Sequence, residues 1–199
     1  MKSVFLFLCI IASSAIYSQK LKFTVKNHQD TTVHLIKYFG KKLFYADTAE
    51  IKNGQVEFDG SKPTKGILGL LLPGQKYFEF IYNSEDIIMV TEGPDFLKNL
   101  EIKASAENKV FIPYIKFIGS EKAKIGKLSK ERSSLKSGDV RFEELTAQIV
   151  EVNEKVKKYQ EDILTLHSDK LVSKIVKMSI DVSIPEAPVD SSGVIIDSN

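Results

Sequence analysis

Sulfur chemistry is almost absent from this chain: its 199 residues include one cysteine, Cys9, and that residue falls inside the first apolar stretch. If that stretch is removed, no thiol remains. Such a chain forms no disulfide, runs no dithiol exchange and holds no metal through sulfur. Tryptophan is missing altogether, and the three histidines, His28, His34 and His167, stand far apart with no His-x-x-x-His spacing, so imidazole metal motifs are missing too. No charge of one sign dominates, since 28 basic against 26 acidic residues leave a formal net charge of +2. That balance argues against nucleic acid as a partner, because neutralising phosphates requires an uncompensated basic face. After the amino terminus, no apolar run approaches the roughly 20 residues that span a bilayer.

What the chain does have begins with an export signal. Lys2 precedes the apolar run Val4 to Ile11 and the small residues Ala12, Ser13, Ser14 and Ala15, the pattern of a secretory leader. Cleavage between Ser18 and Gln19 makes residues 1–18 the signal peptide and places the mature chain in the periplasm or cell envelope. Phe7 and Leu8 are too bulky for the approach to an acylated cysteine, which argues against a lipid anchor through Cys9.

From Lys20 to about Ser105 the sequence reads as seven or eight short strands. Leu21, Phe23 and Val25 alternate with polar neighbours, the period-two signature of a strand with one wet face. Thr32 to Phe39 and Leu43 to Ile51 follow. Asn53-Gly54 then gives the strongest hairpin signal, because both residues tolerate the positive φ of a type I′ turn. In Gln55 to Asp59, Val56 and Phe58 face one way and Glu57 the other. The nearly all-apolar run Gly66 to Leu72 reads as a central strand buried on both faces. Lys76 to Tyr82, Ile87 to Thr91 and Leu100 to Ala104 complete the set.

After Ser105 the period changes to that of a helix. Leu145, Ile149, Val152, Val156, Tyr159, Ile163 and Leu166 recur at spacings of four and three, a heptad seam on one long helix. A weaker seam runs through Phe111, Tyr114, Ile118, Ile125, Leu128 and Leu135, with Glu121 and Arg132 at two inward positions. Pro113 is compatible with a helix only near its first turn. Between the seams, Ser133 to Asp139 offers small residues, a glycine and a capping aspartate, so the two helices fold back antiparallel. The first is rich in lysine and the second in glutamate, and Glu151–Lys155 and Glu154–Lys158 add i,i+4 pairs. A short amphipathic helix carries Leu171, Val172, Ile175, Val176 and Met178.

The expected class is α+β by segregation. It has a signal peptide (1–18), an antiparallel β-sandwich or barrel (19–105), a helical hairpin with a short helix (106–180) and a Pro-containing linker or tail (181–199).

No residue set points to catalysis, a cofactor or a metal. Glu85 with Asp86 and Glu143 with Glu144 are adjacent carboxylates whose side chains diverge. Ser133 and Ser134 lack a nucleophile-elbow context, and Gly66-Ile67-Leu68-Gly69 lacks the lysine and helix start of a phosphate loop. Tyr77, Phe78, Phe80 and Tyr82 could line a ligand groove, but the sandwich interior is the simpler place for them. The lysines of the first helix could meet anionic lipids or polyanions, but a solvated face is the ordinary explanation.

Three stretches carry a resemblance: Asn53-Gly54-Gln55-Val56-Glu57-Phe58 with Gly60, the strand Lys76 to Tyr82 followed by Asp86 to Glu92, and Ile184-Pro185-Glu186-Ala187-Pro188. With these the chain resembles the amino-terminal part of envelope thioredoxin-like proteins of Gram-negative bacteria. In those, a signal peptide and a β-rich domain of unknown function precede a helical region and a thioredoxin-like or peroxiredoxin-like domain. The family's redox chemistry lies in a downstream Cys-x-x-Cys type site that this sequence does not reach, so no catalytic residue carries over. The resemblance implies either a reading frame truncated in the linker before that domain, which is the expectation, or a natural stand-alone copy of the accessory region, and in both cases a non-catalytic accessory or docking module. An envelope protein partner, or a second copy through the helical hairpin, is the implied companion. The alternative is a stand-alone envelope module that binds a peptide, glycan or small molecule.

Overall fold

A computed structural model describes residues 19–180. The signal expected over 1–18, with Cys9, and the linker expected over 181–199, with Ile184 to Pro188, lie outside the described residues. The chain falls into two units, one ending at Lys109 and the other starting at Val110.

Among the described residues the first unit has eight strands: β1 (Lys20–Lys26), β2 (Thr31–Phe39), β3 (Lys42–Ile51), β4 (Gln55–Asp59), β5 (Gly66–Leu72), β6 (Lys76–Tyr82), β7 (Ile87–Glu92) and β8 (Glu101–Ala104). They form two four-stranded sheets, ordered β4-β1-β7-β8 and β3-β2-β5-β6. The choice between sandwich and barrel therefore resolves to a sandwich. One pairing corrects the antiparallel expectation, because β1 runs parallel to β7. Parallel neighbours cannot be joined by a tight turn, and here the connection passes through five intervening strands, four of them in the other sheet.

Period-two alternation sets the interior. Leu21, Phe23 and Val25 of β1 are buried, as are Val56 and Phe58 of β4. The Phe23 ring lies 6.2 Å from both Phe58 and Phe78 and 5.2 Å from Phe80, so one side chain of the first sheet packs against two of the second. Full burial of a side chain this size stabilises by at most about 3 kcal/mol. Leu68, Leu70 and Leu72 of β5 are buried on the inner face, whereas Ile67 and Leu71 on the other face are only half-buried. Burial of β5 on both faces is thus incomplete.

Asn53 (φ 52°) and Gly54 (φ 75°) take the left-handed conformations of the predicted turn. The strands that it joins, however, lie in different sheets. Beyond a single bridge between Lys52 and Gln55, β4 leaves β3 and pairs with β1. The Val25 N–H donates to the Gly54 carbonyl at 2.7 Å and ties the turn to the end of β1.

The helices are α1 (Asn108–Arg132), α2 (Val140–Leu166) and α3 (Leu171–Ser179). Within the second unit the Tyr159 ring lies 6.0 Å from Tyr114 and 4.8 Å from Phe117. At the other end of the same pair, Arg141 donates to Glu131 at 2.7 Å and the Arg132 guanidinium sits 5.5 Å from the Phe142 ring. α1 and α2 are therefore antiparallel, as the seams require. Leu145, Val152 and Ile163 are buried on that seam, but Leu166, the last residue of α2, is 72% exposed, and Met178 on α3 is 81% exposed. Leu166 stands at the very end of α2, and Met178, two residues after the buried Val176, points to the opposite side of α3.

Asp139 precedes α2 without capping it through its side chain. Its Oδ2 accepts the Lys136 N–H at 3.0 Å and closes the turn instead, while Gly138 supplies φ 94°. Glu151–Lys155 forms at 2.9 Å. The expected Glu154–Lys158 pair is not among the ion pairs of the described residues, as is common for exposed side chains that gain little by pairing.

Candidate functional site

The outer face of the sheet β3-β2-β5-β6 carries the feature with most binding character. Register places His34 beside Leu71 and Leu71 beside Tyr77, with Tyr45 beside Ile36 and Ile36 beside Gly69 in the next row. In a sandwich, such outward positions are ordinarily polar. Here Tyr45 is 66% exposed, Tyr77 45% and Leu43 45%.

These side chains enclose a groove of about 490 Å³. Ile36 and Leu71 make its floor, and Tyr45 on β3 and Tyr77 on β6 make its walls. Leu43, Phe44 and Gln75 complete the lining. A second depression of similar volume shares Gln75 and Tyr77 and continues over Pro94, Asp95 and Phe96.

Local sequence explains the shape. At Gly69 a Cβ would come within 2.9 Å of Ile36 Cγ1, so the glycine lets the Ile36 side chain lie flat on the sheet and forms the floor. Pro73-Gly74-Gln75 makes a tight 3-10 turn between β5 and β6, with Gly74 at φ 74° and Gln75 at φ 58°. A left-handed conformation in a residue other than glycine costs about 1 kcal/mol or more, and here it holds Gln75 where both depressions meet.

Two polar groups on this face, His34 and Glu79, each hold a partner within the fold. The His34 ring lies 4.4 Å from Tyr45, and its Nδ1 bonds Thr48 Oγ1 at 2.9 Å. Tyr38 donates its hydroxyl to Glu79. Partial burial, with the Glu79 carboxylate beside it, pushes the Tyr38 phenol well above the ordinary tyrosine range. This is a surface built for apolar and aromatic contact with a few fixed hydrogen-bonding groups, the usual make-up of a recognition groove.

The residues singled out from sequence are scattered. His28 Nδ1 bonds the Gln29 carbonyl at 2.8 Å, far from His34 in the ladder. Among the described residues no three His, Cys, Asp or Glu side chains gather in a metal-holding group. Glu85 turns toward the start of α1, where it accepts the Ala106 and Glu107 N–H groups and the Ser105 hydroxyl. Asp86 accepts the Lys20 N–H at 2.9 Å, so the adjacent carboxylates do diverge. Glu144 bonds Arg141 at 3.0 Å. Ser133 and Ser134 donate to the carbonyls of Lys130 and Glu131 and close the last turn of α1. Gly66 ends a strand pair opposite Tyr82. The aromatic set divides: Phe78, Phe80 and Tyr82 enter the core, and Tyr77 lines the groove.

Sequence reasoning passed over Ile36, Tyr45, Leu71 and Gln75. A signal was available in Leu43-Phe44-Tyr45, three consecutive large apolar residues in a strand, of which period two can hide only alternate members.

Residues 20–111 match the family model described as a domain of unknown function (DUF4369). Among the described residues this stretch holds all eight strands and the first turn of α1. No curated protein matches the chain. No solved structure matches it either.

Proposed function

We propose that the chain is a non-catalytic docking module of an exported, thioredoxin-like envelope protein, and that the groove on the outer face of β3-β2-β5-β6 is its recognition surface. The observation behind this reading is the exposure of Tyr45, Tyr77, Leu43 and Phe44 around the buried floor residue Ile36. Contiguous apolar surface of this kind on a folded domain marks a place where another molecule sits. The match over residues 20–111 agrees with a β-rich domain of unknown function, and the link to a thioredoxin-like domain comes from the sequence resemblance. Export to the envelope rests on residues 1–18 alone.

The alternative is a stand-alone module in which the same groove holds a peptide, glycan or small molecule. His34, Gln75 and Glu79 on the same face favour a ligand with hydrogen-bonding groups.

Calorimetric titration of the mature chain with the thioredoxin-like domain of a protein bearing this β-rich region separates the two. Binding that is lost in the Tyr45→Ala/Tyr77→Ala chain supports the docking reading. Binding unchanged by those substitutions, or none at all, contradicts it. Thiol-dependent reduction of insulin by the mature chain alone should be nil, and turnover there would contradict the non-catalytic reading.

A further inference from the structure

The hairpin between β2 and β3 ends in Tyr38-Phe39-Gly40-Lys41-Lys42-Leu43-Phe44-Tyr45, eight consecutive exposed residues. Five of the eight are large and apolar. Phe39 at the tip is 76% exposed, and its ring stands edge-on to Phe44 with centroids 6.3 Å apart. The two rings cover each other only in part and leave the rest to solvent. Gly40 turns the chain at φ 59°, and no atom lies within 4 Å of where its Cβ would be. The turn at Gly40 therefore has open space on its outer side.

Its charge is one-sided. Lys37, Lys41 and Lys42 lie in the stretch from Lys37 to Ala46, which contains no carboxylate. The first carboxylate after this stretch, Asp47 on β3, is committed to Lys62 at 3.0 Å, and Glu79 on β6 is committed to the Tyr38 hydroxyl. Aromatic side chains settle at the level of lipid headgroups, lysine stems lie along apolar surface with the ammonium in water, and an anionic surface attracts nearby basic groups. A solvated loop tip would need none of the five apolar residues, and a purely apolar interface would not need three uncompensated lysines.

We propose that this hairpin tip inserts into the headgroup region of an anionic lipid surface, with Phe39 and Phe44 entering first and Lys37, Lys41 and Lys42 meeting the negative headgroups. The proposal shares Phe44 with the groove lining but uses neither the groove wall Tyr77 nor the floor residue Ile36, so it goes beyond the docking reading, and either can fail without the other.

The absence of tryptophan from the chain makes the test direct: Phe39→Trp puts a single indole at the tip of the mature protein. It is titrated with vesicles of phosphatidylcholine alone and with vesicles containing roughly a third phosphatidylglycerol. The expected result is a blue shift and quenching by brominated acyl chains with the anionic vesicles only. In that background each of Lys41→Gln and Lys42→Gln should weaken partitioning by about fivefold, and Phe44→Ser should weaken it further. Circular dichroism confirms that each variant is folded. An emission spectrum unmoved by anionic vesicles overturns the proposal. So does vesicle binding that persists unchanged in Phe39→Ser/Phe44→Ser, which would assign it to lysines elsewhere. A blue shift that grows with protein concentration in the absence of lipid also overturns it, since that is self-association through the tip.

Discussion

The side-chain amide of Asn108 closes both backbone groups of Ile81: the Ile81 N–H donates to Asn108 Oδ1 at 2.7 Å, and Asn108 Nδ2 donates to the Ile81 carbonyl at 2.6 Å. Because β6 is the edge of its sheet, those two groups have no neighbouring strand to pair with, and the amide takes the place of one. Asn108 is fully buried and also meets the hydroxyl of Ser105, which accepts the Asn108 N–H and so caps α1. Asn108→Leu should therefore leave a buried donor and a buried acceptor unpaired and cost roughly 2 to 4 kcal/mol. A lowered urea midpoint with an unchanged slope would report this; an unchanged midpoint would mean that water replaces the amide.

Two glycines should respond differently to a methyl group. At Gly60 a Cβ would lie 2.4 Å from the Gln19 carbonyl oxygen, a backbone atom that also accepts the Gly60 N–H. At Gly69 the nearest atoms are the outer carbons of Ile36, which can move. Gly60→Ala is expected to cost about 3 kcal/mol and Gly69→Ala about 1 kcal/mol, with the second instead displacing Ile36 into the groove. Thermal denaturation ranks the two; equal losses would contradict the assignment of Ile36 as the yielding neighbour.

Glu121 occupies an inward position of the α1 seam, and its Oε2 is buried with no hydrogen-bond partner among the described residues. Removing a half-buried carboxylate with one buried, unpaired oxygen relieves a desolvation cost, so Glu121→Leu should raise stability by about 1 kcal/mol. Equilibrium denaturation followed by helical circular dichroism measures it. A loss of stability would show that the nearby Lys155 contributes more than burial takes away.

Acid should weaken the sandwich through Asp47. The bond from Lys62 holds the Asp47 carboxyl below its ordinary value of 3.8. Protonation thus happens first in the unfolded chain. The stability that Asp47 lends is complete above that ordinary value and is lost as pH falls through the lower folded-state value. With Lys62 largely exposed, the amount is under about 1 kcal/mol. Asp47→Asn should flatten the pH dependence of stability below pH ~4 while changing little at neutrality, as melting curves across that range would reveal. A dependence identical to that of the unsubstituted chain would contradict the role of this pair.

The strands were legible because alternation is a local property: Leu21, Phe23 and Val25 announce a one-sided strand whatever they pair with. Pairing itself is not local. Nothing in β1 or β7 signals that they lie parallel, and Asn53-Gly54 specifies a turn without specifying that its two arms enter different sheets. The helical seams were readable for the same reason as the strands, and they fail at Leu166, at the end of α2, and at Met178, which faces away from the buried side of α3. The groove was nearly invisible. Its walls, Tyr45 and Tyr77, come from opposite edges of the sheet, and only the register brings them over Ile36 and Leu71. Asn108 gave no signal either, since an asparagine at a helix start suggests a cap rather than a substitute strand.

The central proposal, that this chain works by presenting a recognition face rather than a reaction centre, is tested most directly by backbone hydrogen exchange of the mature protein with and without the thioredoxin-like domain of a protein that bears this β-rich region. The account predicts added protection confined to β2, β3 and the segment Leu71 to Tyr77. Protection that leaves those strands unchanged, or appears only on α1 and α2, would contradict it.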